Sequence, residues 1–153
     1  MSCIRVNTPA QRAQMRTIAP TILAPEEAAA RHPAPPVTES KLRRLRLLAR
    51  QENPKIRESV ASSYHTPEDV FADLARDPDP GVRGCVARNE RTPCDLLREL
   101  AHDPSEQVRG WVAVNYCVPE DAMDALAQDP SPTVRSLVAW KAPLAAEYDP
   151  AHA

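Results

Sequence analysis

Moving 26 residues along this chain lands on the same chemistry three times. Ile56-Arg57 becomes Val82-Arg83, Val108-Arg109 and Val134-Arg135, and Leu48-Ala49 becomes Leu74-Ala75, Leu100-Ala101 and Leu126-Ala127. Val60-Ala61 returns as Val86-Ala87, Val112-Ala113 and Val138-Ala139. Asp77-Pro78 returns as Asp103-Pro104 and Asp129-Pro130, with Gln51-Glu52 in that place in the first unit. The units run 40–65, 66–91, 92–117 and 118–143. A unit this short cannot bury an apolar face alone, so a fixed period means neighbours stacked into one continuous core.

Each unit reads as two short helices. In "TPEDVFADLARDP" Thr66 stands as N-cap, Pro67 at the first helical position and acidic residues in the first turn. Thr92-Pro93 repeats the device, while Val118-Pro119 has lost the cap. Asp-Pro closes the helix, because a residue before proline is pushed out of the α region. The second helix starts at Asn53, Asp79, Ser105 and Ser131, and ends near Asn89 and Asn115, residues that tolerate a left-handed terminal conformation. On a helical wheel Val82, Arg83, Val86, Ala87 and Asn89 share an inner arc, and Gly84, Cys85 and Arg88 face away. Alanine at 61, 87, 113 and 139 lets the neighbouring helix approach closely. The expected fold class is all-α, an α-solenoid of four two-helix repeats.

Composition agrees. Three glycines against seventeen prolines argue against a hairpin-rich β fold, and six aromatic residues leave the core to Leu, Val and Ala. Residues 1–39, proline-rich and without amphipathic period, read as a disordered arm, and residues 144–153 as a cap or tail. Cys3, Cys85, Cys94 and Cys117 lack metal-ligand spacing. There is no signal-peptide pattern and no apolar run of membrane-spanning length. The expectation is a cytoplasmic protein with free thiols, no cofactor, no metal and no membrane association.

The unit "TPEDVFADLARDPDPGVRGCVARN" resembles the leucine-rich repeat variant (LRV) family, in Asp-Pro…Val-Arg…Val-Ala-x-Asn…Pro, over 40–143. The resemblance implies a right-handed solenoid of short helices. Some members carry an iron–sulfur centre on an N-terminal cysteine cluster; with only Cys3 before the repeats, that cofactor is not carried over. An aspartate six residues before an arginine on the second helix resembles the inter-repeat ladder of HEAT repeats.

Three groups of residues are candidates for a role. Asp77/Arg83, Asp103/Arg109 and Asp129/Arg135 recur identically and read as a structural ladder, each arginine fork binding carboxylate and helix carbonyls between repeats. Trp111 and Leu137 share one repeat position, and Val114, Trp140 and Arg88 another, both on the outward arc. They are expected to merge into an apolar patch that takes a protein partner, is covered by residues 144–153, or forms a homodimer contact. Lys41, Arg43, Arg44, Arg46 and Arg50 form a basic first helix that either tracks nucleic-acid phosphates or is the polar outer face of a terminal repeat. Residues 1–65 hold 11 basic against 5 acidic side chains and residues 66–153 hold 8 against 16, a balance that opposes a long duplex. The four histidines stand in no catalytic motif, and no phosphate-binding glycine loop is present. The expected function is a non-enzymatic protein-interaction module, with nucleic-acid binding through the first repeat as the alternative.

Overall fold

The structure, a computed structural model, describes the backbone of residues 37–147 and the side chains of residues 37–141. The expected arm lies outside the described residues except at its end, where Thr38 caps the first helix and Glu39 begins it. The described residues form eight α-helices and no strand. These are α1 Glu39–Leu48, α2 Pro54–Ala61, α3 Glu68–Leu74, α4 Pro80–Arg88, α5 Cys94–Leu100, α6 Glu106–Val114, α7 Glu120–Ala127 and α8 Pro132–Glu147. Each odd helix touches the even helix after it, α2 packs on α4, α4 on α6 and α6 on α8, and α5 touches α7.

The recurring apolar residues make the core. Leu74, Leu100 and Leu126 are buried with Val82, Val108 and Val134 and with Val86 and Val112. Each such side chain contributes about 2 kcal/mol by leaving water. Ala61, Ala87 and Ala113 are fully buried, whereas Ala139, on the last even helix, is exposed.

Several polar residues at the helix ends do a different job from the one their position suggests. Asn53, Asp79 and Ser131 do cap the even helices, accepting from the N–H of Lys55, Gly81 and Thr133 at 2.9, 2.7 and 3.1 Å, but Ser105 makes no such bond. Thr66 and Thr92 are not N-caps. Their buried hydroxyls donate backwards, to the carbonyls of Val60 (2.6 Å) and Val86 (2.7 Å), and tie off the preceding helix. Proline at 67 and 93 occupies the cap position and supplies no side-chain bond.

Asn89 and Asn115 are likewise not left-handed terminators. Both are extended, at φ −72° and −68°, and no described residue has a positive φ. Their side-chain amides reach the preceding even helix. Asn89 Nδ2 donates to the carbonyls of Ala61 (2.8 Å) and Ser63 (3.2 Å), and Asn115 Nδ2 to those of Ala87 (2.7 Å) and Asn89 (3.0 Å). Lys141, one period further, donates its ammonium to the Asn115 carbonyl. Burial pushes the Lys141 pKa down from the usual lysine value.

The arginines form a second ladder. Arg57, Arg83 and Arg109 each clasp the carboxylate twenty residues on, Asp77, Asp103 and Asp129, with Nε at 2.6–2.7 Å and Nη2 at 2.8–3.0 Å. Nη1 turns back to main-chain carbonyls: Asp77 O for Arg83 and Asp103 O for Arg109. The aspartate six residues before an arginine is thus its carbonyl partner, and the aspartate twenty residues after it is its carboxylate partner. Each carboxylate also accepts the backbone N–H two residues on, from Asp79, Ser105 or Ser131. These are bidentate, charge-assisted bonds at nearly buried side chains, 13 % exposed for each arginine and 3–6 % for each aspartate. At Asp129 the Arg109 fork outweighs desolvation and holds the carboxyl below its usual range. At Asp77 desolvation is the largest single influence and pushes upward, but the Arg57 fork, the Asp79 amide and the two arginine charges together bring it below as well.

Candidate functional site

The surface singled out by the tryptophans is built on α4, α6 and α8, which the two ladders lock together. Trp111 on α6 lies over Gly84 of α4, so close that a Cβ there would stand 3.2 Å from the indole Cδ1. Leu137 on α8 lies in the same way over Gly110 of α6, at 3.4 Å from a Cβ. Gly84 is therefore buried and does not face away from the stack, and the missing side chain is what admits the indole. Trp111, Val114 and Leu137 are half-buried, and Trp111 and Leu137 pack their inner parts against the core.

Between them lies an open, almost wholly apolar groove of about 470 Å³, floored by Gly110 and Val134 and flanked by exposed Glu106, Gln107 and Thr133. The Arg88 guanidinium stands 5.2 Å from the centre of the Trp111 ring, a cation–π arrangement that orients the indole from outside. Trp111, Val114, Leu137 and Arg88 thus come together. Trp140 does not join the groove lining and is 62 % exposed.

A smaller depression of about 300 Å³ is lined by Arg88 together with Tyr64, Cys85, Glu90 and Tyr116. The Arg91 guanidinium lies 4.7 Å from the Tyr64 ring centre, and His65 meets that ring edge-on at 5.3 Å. Sequence reasoning missed Tyr64, Arg91 and Tyr116. The signal was present: Tyr64 and Tyr116 stand two periods apart in the loops after the even helices.

On α1 and the turn after it, Lys41, Arg43, Arg44 and Arg50 are exposed and make no ion pair among the described residues. Arg46 differs from them: its Nε donates to Asp69 at 2.9 Å, and Nη1 lies 3.9 Å from Glu39. Among the described residues no helix is long and apolar enough to cross a membrane, and no cluster of three or more His, Cys, Asp or Glu is placed to hold a metal ion. Cys85, Cys94 and Cys117 are free thiols.

Comparison with protein-family models, with curated proteins and with solved structures finds no match to this chain. The resemblance to LRV repeats rests on the residue pattern alone.

Proposed function

We propose that this chain is a non-enzymatic interaction module, a right-handed solenoid of four LRV-like 26-residue repeats. In this reading it works in the reducing cytoplasm and binds a protein partner through the Trp111/Leu137 groove. The observation that carries the reading is an apolar groove centred on a half-buried tryptophan, stacked by an arginine and mounted on cross-linked helices. Tryptophan and arginine dominate interface hot spots, and burying the rest of Trp111 and Leu137 supplies affinity without ordering a loose surface. No buried side-chain nitrogen or oxygen among the described residues lacks a hydrogen-bond partner, which favours a surface shaped before the partner arrives.

The test is a nuclease-treated affinity capture that compares wild type with a Trp111→Glu/Leu137→Glu variant shown by circular dichroism to be folded. The captured protein is then purified and rebound at low and high salt. Loss of binding in the variant, with little effect of salt on the wild type, supports the reading. Equal capture by both overturns it. The second reading, nucleic-acid binding, is favoured by the exposed cations Lys41, Arg43, Arg44 and Arg50, which make no ion pair among the described residues. It predicts capture only without nuclease, and affinity that falls steeply with salt.

A further inference from the structure

Besides the two ladders, a third register runs along the odd helices. Arg46 pairs with Asp69, Arg76 with Glu99 and Arg98 with Asp121, in each case 23 residues on. That separation sets side chains of one unit against those of the next. Cys94 and Cys117 stand at the same separation, and the Cys94 sulfur lies 3.9 Å from the Cys117 carbonyl oxygen. Cys94 is one turn before Arg98 on α5, and Cys117 is four residues before Asp121. The two thiols are therefore the rung beside the Arg98–Asp121 pair, which is bonded at 2.7 Å. Both are exposed and free, whereas Cys85 is half-buried.

A cation is held near Cys117. Asn115 accepts the Cys117 N–H on Oδ1 at 2.8 Å and the Lys141 ammonium on its main-chain carbonyl. Burial is the larger influence on the Lys141 pKa and lowers it, while negative charge at Cys117 acts to raise it. The ammonium thus acts on a thiolate formed at Cys117. Exposed thiolates beside a cation, with a second thiol in reach, are the ones that oxidants attack and that end as disulfides.

We propose that Cys117 and Cys94 are a modification site, at which hydrogen peroxide makes a reversible disulfide between α5 and the turn into α7. The Cys117 thiolate attacks the peroxide O–O bond, so that an S–O bond forms and the other oxygen leaves as hydroxide. The Cys94 thiolate then attacks the Cys117 sulfur, the S–S bond forms and the sulfenic oxygen leaves as hydroxide. The protons given up by the two thiols turn both hydroxides into water, and the two electrons lost by the sulfurs reduce the peroxide. Cys117 lies between α6 and α7, outside either helix, so closing to disulfide geometry moves a turn and breaks no helix. Exchange with glutathione thiol restores the dithiol, as fits a transient disulfide in a reducing compartment. The bond closes residues 94–117 into a loop that spans α5 and α6, the helix carrying Trp111. None of this depends on what the Trp111 groove binds.

The test is made on the reduced full chain, kept native, with one molar equivalent of hydrogen peroxide. Trypsin digestion without reductant is expected to give residues 92–98 linked to residues 110–135, each holding one cysteine. Reduced glutathione is expected to remove the link, and circular dichroism to show the same helix content throughout. In Cys94→Ser the sulfenic acid meets no second thiol, and dimedone is expected to label Cys117 several-fold faster than Cys85. Four outcomes overturn the proposal: no linked peptide, a link that forms only in urea, a bridge to Cys3, Cys85 or a second chain in its place, or equal labelling of Cys85 and Cys117.

Discussion

Arg83 grips the carboxylate of Asp103 through Nε and Nη2 at 2.7 and 3.0 Å while its Nη1 donates to the main-chain carbonyl of Asp77 at 2.7 Å. One side chain thereby joins α4, on which it sits, to the turn before it and to the turn before α6. Asp103 in turn accepts from the Ser105 N–H, which orders the start of α6. Position and charge are fixed by the same bonds.

Removing one half of this device leaves an arginine nearly buried without its counter-charge. Asp103→Ala is expected to cost about 3 kcal/mol in urea unfolding. The exposed pair Arg76–Glu99, at 2.7 Å, is the control, and Glu99→Ala is expected to cost less than about 1 kcal/mol. Equal losses at the two sites would refute a special role for the buried fork.

The lowered carboxylates set an acid limit. Asp77 and Asp129 bind protons less readily folded than unfolded, so the unfolded state takes up more protons near their ordinary value of 3.8 and stability rises with pH there. Their contribution is complete above that value and is lost as pH falls through the lower folded values. The melting temperature is therefore expected to be level above about pH 5 and to fall below about pH 4. Asp129→Asn lowers the plateau and makes the acid fall shallower; a parallel displacement of the whole curve would count against the assignment.

The sequence made the helices and the buried rows legible, because both depend on residues within one unit. It could not assign the partners of Arg83. An aspartate six residues before and one twenty residues after differ by one full period, so a perfect repeat contains both. Only the packing of α4 against α6 decides which offers its carboxylate and which its carbonyl. Gly84 raised the same difficulty. A wheel drawn on α4 turns it outward, and it is buried by Trp111, a residue of the next even helix. Trp140 was grouped with Trp111 because both positions lie on the outward arc, but Trp140 is not among the residues that line the groove.

Those two glycines differ in what a methyl group would meet. At Gly110 an added Cβ makes ordinary contact with Leu137 at 3.4 Å, so Gly110→Ala is expected to stabilise the protein by about 0.5–1 kcal/mol through helix propensity. At Gly84 the Cβ comes within 3.2 Å of Trp111, and the indole must move outward to admit it. Gly84→Ala is expected to gain less and to shift the tryptophan emission to the red. An equal gain with unchanged emission would show that the indole is not seated on Gly84.

Val118 occupies the place where Thr66 and Thr92 tie off the preceding helix. Val118→Thr puts a hydroxyl where it can donate to the Val112 carbonyl, one period after Val60 and Val86. The expected result is a gain of about 1 kcal/mol in thermal or urea unfolding. A loss would mean that the half-buried valine methyls contribute more there than the bond.

Asn115 offers the sharpest separation of shape from hydrogen bonding. It is buried, its amide donates to the carbonyls of Ala87 and Asn89, and its Oδ1 accepts from the Cys117 N–H at 2.8 Å. Asn115→Asp keeps the shape but turns a double donor into an acceptor facing two carbonyl oxygens. At neutral pH the buried charge is expected to cost about 3 kcal/mol relative to wild type. The carbonyls and burial raise the new carboxyl's folded pKa above its unfolded value. The deficit is therefore full above the folded value and shrinks as pH falls through it, when the acid proton can donate to one carbonyl. Urea unfolding of variant and wild type at pH 7 and at about pH 4.5 reads this as a narrowing difference. A deficit independent of pH would mean that Asn115 is held by packing and that its amide is not the bond between α4 and α6.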